Sequence, residues 1–190
     1  MKELNVLVVV DMQEDFLYGS LANEKADEVV KSNVELIKEY AKKATAEKPL
    51  YIIATKDTHL EDYLDTLEGE RLPVKHCILG TSGWEITAEV KNAINEALLN
   101  DNVDYSEATK TTFGSFGLLN ILETLATKYD FEVLFTGVCT DICVVSNALM
   151  TRAKFPNNII KVVRNATNGT TVEATEAAFQ VMQSCQIDIV

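Results

Sequence analysis

The chain has 190 residues, 47% of them hydrophobic and 24% charged, with a formal net charge of -12. That size suits a single domain, expected to span residues 1–190, with ample length to bury a core. The negative balance argues against nucleic acid and anionic membrane surfaces as partners, and no apolar run reaches the roughly 18 residues that cross a bilayer.

The first apolar run, LNVLVVV (4–10), is short, continuous and β-branched, as expected of a strand buried on both faces. It stops at DMQEDF without a small-residue cleavage site, so it reads as a strand and not as a secretory signal. A cytoplasmic, reducing setting follows, in which the four cysteines are free, catalytic or metal-linked thiols. Residues 25–44 then place Val29, Val30, Val34, Ile37 and Ala41 on one helical stripe. PLYIIAT (49–55) is a second strand, and 57–83 is a long irregular stretch of the kind that is usually functional. Residues 84–99 form a helix on Ile86, Val90, Ile94 and Leu98, followed by a weaker strand, VDYSEAT (103–109). After the helix FGLLNILETLA come the strand FEVLFTG (131–137), the helix CVVSNALMTRA, the strand NIIKVV (158–163), the helix VEATEAAFQVMQ and a last strand, IDIV. Alternating strands and helices predict a three-layer α/β/α fold with a mostly parallel, doubly wound sheet.

Ligands of such sheets bind beyond the carboxyl ends of the strands, so the residues that follow each strand carry the information. These are Asp11 after the first, Asp57 and His59 after the second, Lys110 after the weak strand, and Cys139, Asp141 and Cys143 after FEVLFTG. Capped by Thr140 or Asp141, the helix after FEVLFTG would hold Cys143 in its first turn, where free N–H groups and the helix dipole favour a thiolate. A carboxylate at the inner end of VLVVV has little water around it, which raises its pKa and makes Asp11 a usable proton acceptor and donor. Lys110 could keep both Asp11 and Cys143 ionised. Asp-x-His at a strand end points Asp57 and His59 the same way, and His76 can close a site suited to Zn, Mn or Fe. Cys77 and Cys185 lack such a frame and read as structural.

Taken together, VVVDMQEDF with GSL, KDTH with LPVKHCILGTSGWE, KTTFGSF and TGVCTDICV resemble, in this order and across the whole chain, the isochorismatase-like cysteine hydrolases and their nicotinamidase/pyrazinamidase group. The resemblance implies a triad of Cys143, Asp11 and Lys110, one divalent transition ion on Asp57, His59 and His76, and a cis peptide at Val138–Cys139 that aims backbone N–H groups at an oxyanion. For a fourth metal ligand TLEGERLPVKH offers Glu68 and Glu70, with Glu68 preferred by its spacing. Isochorismatases proper lack the Asp-x-His and His set. The implied activity is hydrolysis of a small amide, nicotinamide first, through a thioester, with Phe16 and Trp84 packing the substrate ring and the chain forming a homo-oligomer. Other readings are a different small-amide or isochorismatase-type hydrolase, a thiol redox protein using Cys139 and Cys143, and a non-catalytic metal-binding protein.

Overall fold

The computed structural model describes all 190 residues. Its strands are β1 (Lys2–Val10), β2 (Leu50–Asp57), β3 (Val103–Lys110), β4 (Tyr129–Val138), β5 (Ile160–Asn168) and β6 (Asp188–Ile189). They form one sheet in the order β3-β2-β1-β4-β5-β6, every pair parallel. Two short helices and five longer ones connect them: α1 (Glu14–Leu17), α2 (Ala26–Lys43), α3 (Leu67–Arg71), α4 (Ala88–Ala97), α5 (Phe116–Ala126), α6 (Val145–Lys154) and α7 (Val172–Ser184), with α3 and two 3-10 turns lying in the irregular stretch.

Alternation along the central strands divides the core in two. Leu7 and Val9 of β1, with Ile52 and Ala54 of β2, pack under α2 and α4. Val6, Val8 and Val10, with Val133 and Phe135 of β4, face α5, α6 and α7. Burying each of the larger side chains contributes about 1.5–3 kcal/mol, so both layers hold the sheet between them. No helix is long and apolar enough to cross a membrane.

The helix expected over residues 84–99 is shorter at its start. Ile86 is buried, but by an antiparallel bridge to Gln13 and not by a helix face; α4 begins at Ala88, and Leu98 is 40% exposed where Ala97 takes the core position. Asn33 also sits on the buried face of α2, where its amide nitrogen donates to Val29 O (2.8 Å) and Ala166 O (2.9 Å) and ties the helix to β5.

The chain leaves β1, builds outward to β3, then returns to add β4 on the other side. The β1/β4 boundary is therefore the point where the strand order reverses, and a crevice opens there beyond the carboxyl ends. Gly137 lets the two strands meet: at φ 103° a Cβ would stand 2.0 Å from Val10 O.

Candidate active site

At the end of β1 the backbone swings out of the sheet at Asp11, whose φ of 48° lies in the left-handed region that Asp tolerates better than most residues. Its carboxylate is fully buried; Oδ1 accepts from Thr55 Oγ1 at 2.6 Å, and Oδ2 lies 2.7 Å from Lys110 Nζ. Lys110 closes β3, and its ammonium also stands 3.1 Å from Asp57 Oδ1 and 3.5 Å from Cys143 Sγ. One buried cation thus touches a carboxylate just past β1, a second at the end of β2, and a thiol in the turn after β4.

Cys143 is 6% exposed and follows the cis Val138–Cys139 peptide. The turn that carries it differs from the expected cap. Cys139 occupies the cap position, Val144 N–H reaches back five residues to Cys139 O (3.0 Å), and the turn Thr140–Val144 is wider than an α turn. Thr140 Oγ1 pairs instead with Thr167 Oγ1 at 2.8 Å, and the Asp141 carboxylate accepts from Thr170 N–H (2.9 Å) and Oγ1 (2.5 Å). Both side chains are drawn across to the end of β5, which leaves neither free to cap.

Electrostatics follow from burial. Desolvation raises Asp11 above the ordinary carboxylate range, with the Lys110 charge opposing and the Asp57 charge adding. Desolvation also pushes the Cys143 thiol well up, reinforced by the Asp11 charge and opposed by Lys110. A resting thiolate, expected from the helix terminus, is therefore not what the site favours: burial opposes it first and the Asp11 charge second. Lys110 is held above its usual value, because Asp11, Cys143 and Asp57 together outweigh the cost of burying it. Cys139 is pushed up to about 12 by burial, then by Asp141 and Asp11.

Beside this cluster the side chains of Asp57, His59, Glu68 and His76 converge, their potential ligand atoms all within 4.8 Å of one another. His59 Nε2 is 3.0 Å from Asp57 Oδ2 and 3.7 Å from Glu68 Oε1; His76 Nε2 is 3.5 and 3.9 Å from the same two oxygens. A tetrahedral ion with bonds of about 2.1 Å spaces its ligands about 3.4 Å apart, which these separations match. His76 Nδ1 lies 2.8 Å from Val74 O, so that nitrogen donates and Nε2 faces the cluster. Two carboxylates and two imidazoles suit a divalent transition ion in charge and in donor type. Burial would raise Asp57, but contacts from His59 and His76 and the Lys110 charge hold it below the usual carboxylate range. Glu70, the other acid of that segment, is exposed, whereas Glu68 joins the cluster.

A cavity of about 530 Å³ opens over Cys143, Cys139, Asp57, Glu68 and His76, with Phe16 in its wall. Trp84 does not line it. Its ring packs against the α2/α4 core layer beneath Lys56, whose Nζ stands 3.2 Å from the ring centroid, while its indole N–H donates to Thr58 Oγ1 at 2.9 Å. Leu72 and Phe113 supply apolar wall instead.

The Isochorismatase domain matches residues 5–190. The chain belongs to the isochorismatase family. Among solved structures, this family member is similar over its full length to the nicotinamidase/pyrazinamidase of Bacillus subtilis, at 26% identity with all of both chains covered and a TM-score of 0.79. It is equally 26% identical to the pyrazinamidase of Pyrococcus horikoshii in complex with zinc, over 98% of each chain, with a TM-score of 0.76. N-carbamoylsarcosine amidase from Thermoplasma acidophilum, at 22% identity over 100% of this chain and 95% of its own, shares the fold with a TM-score of 0.72. A comparison with curated protein sequences returns no match.

Two residues of the site were not singled out from the sequence. Thr55 lies on β2 beside Asp11, and only the β1–β2 register reveals the contact. Gln13 is 0% exposed and bonds both backbone groups of Asp57. Its signal was a polar side chain between Met12 and Phe16, both buried.

Proposed function

We propose that this isochorismatase-family protein is a cysteine-dependent amidase that hydrolyses nicotinamide to nicotinate and ammonia. The observation that carries the reading is the Lys110 ammonium, within 3.5 Å of Asp11, Asp57 and Cys143 and so joining the thiol–carboxylate pair to the Asp57–His59–Glu68–His76 cluster.

In this reading Asp11 takes the Cys143 proton as sulfur attacks the carboxamide carbon, so no free thiolate needs to exist beforehand. The backbone N–H groups of Cys139 and Cys143 face the oxygen on which charge develops. Asp11 then returns its proton to the departing nitrogen, ammonia leaves, and the acyl group remains on sulfur as a thioester. A water deprotonated by Asp11 attacks that thioester; the C–S bond breaks, sulfur takes the proton back from Asp11, and the acid product gives its remaining proton to solvent to leave as carboxylate. Lys110 stays charged throughout and offsets whichever of its neighbours is anionic. A divalent ion held by Asp57, His59, Glu68 and His76 would bind the pyridine nitrogen and orient the ring. Phe16 supplies an apolar wall for that ring.

Ammonia release from a panel of amides tests this directly. Nicotinamide and pyrazinamide should turn over, Cys143→Ala should not, and aliphatic amides should be poor. A wild-type protein inert on every aromatic amide, or a Cys143→Ala variant with full turnover, would overturn the assignment.

A further inference from the structure

We propose that Gln13 is a positioning residue for Asp57: its carboxamide clamps the Asp57 peptide from both sides and so sets the carboxylate that joins Lys110 to the histidine cluster. The inference rests on the metal reading given under Proposed function.

The geometry begins with a gap in the sheet. The paired register of β1 with β2 ends at Val10 and Thr55, because the chain departs at Asp11. Asp57 lies two residues farther along β2, past the end of β1, and its peptide groups on that side have no strand to pair with. Gln13 fills the vacancy with a side chain. Its Oε1 accepts from Asp57 N–H at 2.7 Å, and its Nε2 donates to Asp57 C=O at 2.8 Å. The second Nε2 hydrogen goes to Trp84 C=O at 2.9 Å. Amide orientation is fixed by this network, since the reversed group would set N–H against N–H and oxygen against two carbonyls.

Gln13 is fully buried and does not line the cavity, so it acts through Asp57. Asp57 needs such control more than the other cluster members. Its Oδ1 meets Lys110 and its Oδ2 meets both His59 and His76, so a small rotation of its backbone misplaces contacts on two sides. Gln13 also donates its own N–H to Asp11 O at 2.7 Å, which fixes the clamp relative to the base. Trp84, stacked under Lys56, becomes the anchor of the clamp's third bond.

Gln13→Met keeps the volume and removes all three side-chain bonds. Partners that orient ligands of a metal are worth about 10–100-fold in affinity. Zinc affinity, measured by competition with a chromophoric chelator, should therefore fall by about 10–100-fold, and the visible spectrum of the cobalt-loaded protein should change. Gln13→Glu, which keeps one acceptor and loses both donors, should move both readouts in the same direction and serves if the methionine variant does not fold. Ile94→Ala, buried under the same layer and remote from the cluster, controls for simple destabilisation: it should lower the melting temperature and leave zinc affinity unchanged. Wild-type zinc affinity and an unaltered cobalt spectrum in a folded Gln13 variant would overturn the positioning role alone. A wild-type chain that takes up no ion would overturn the metal reading and this inference with it.

Discussion

At the scale of single residues, Asp11 and Lys110 act on Cys143 with opposite signs. The Asp11 charge raises the thiol and the Lys110 charge lowers it. Asp11→Asn should therefore make Cys143 more easily alkylated by iodoacetamide at fixed, mildly alkaline pH, while turnover falls by about 10²–10⁴-fold because the base is gone. Lys110→Ala should slow alkylation and also cripple turnover. Peptide mapping of the alkylated protein beside a turnover assay separates the two, and parallel changes in both variants would contradict the proton-sharing arrangement. The pH dependence follows from the raised Asp11. The base form appears only as pH climbs through that raised value, so the acid limb of kcat/KM should lie above the roughly 3.9 of an ordinary aspartate and disappear in Asp11→Asn. For stability, burial favours the protonated carboxyl. Its stabilising contribution is complete below about 3.9 and is lost as pH rises through the folded value, so the ionisation that enables turnover also weakens the fold. Glu68→Ala should remove zinc from the protein, as read by metal analysis, and Glu70→Ala should not, because only Glu68 reaches the cluster.

Whole elements show why some of this was legible in the sequence. β1, β2, β4 and β5 stand out because a strand covered by helices on both faces must be apolar almost throughout. β3 reads weakly because it lies at the sheet edge with several positions exposed. The helix read over residues 84–99 began too early because Ile86 is buried through an antiparallel backbone bridge to Gln13, a contact invisible to helical periodicity. The positions of Asp11, Asp57, His59, Lys110 and Cys143 were legible as strand ends and one turn. The partnerships of Thr55 and Gln13 were not, because they depend on how far β2 extends past β1. The capping of Cys143 was misread because Thr140 and Asp141 are good caps locally, and the demand for them comes from β5. Gly137 is the element-scale position most exposed to substitution. Gly137→Ala would need φ 103° and a Cβ 2.0 Å from Val10 O, so unfolding should become easier by about 3 kcal/mol or more, measured by urea titration. Turnover should fall further than stability does, since β4 carries the chain into the Cys143 turn.

For the molecule as a whole, the site draws on β1, β2, β3 and the segment after β4, so it exists only when these four neighbouring strands of the six are assembled. Chelation should lower the melting temperature and zinc should restore it, because an ion bound only by the folded chain stabilises it by mass action. Lys110 itself comes from β3, the outermost strand on that side, which pairs with β2 alone. Edge strands open locally at lower free energy than the strands between them. Catalysis would then be the first property lost on mild denaturation. In a urea series, turnover should decline at concentrations where far-ultraviolet circular dichroism is still native, and hydrogen exchange at Tyr105–Thr109 should quicken over the same range. The enzyme would be switched off by the fraying of its own margin, well before its centre gives way.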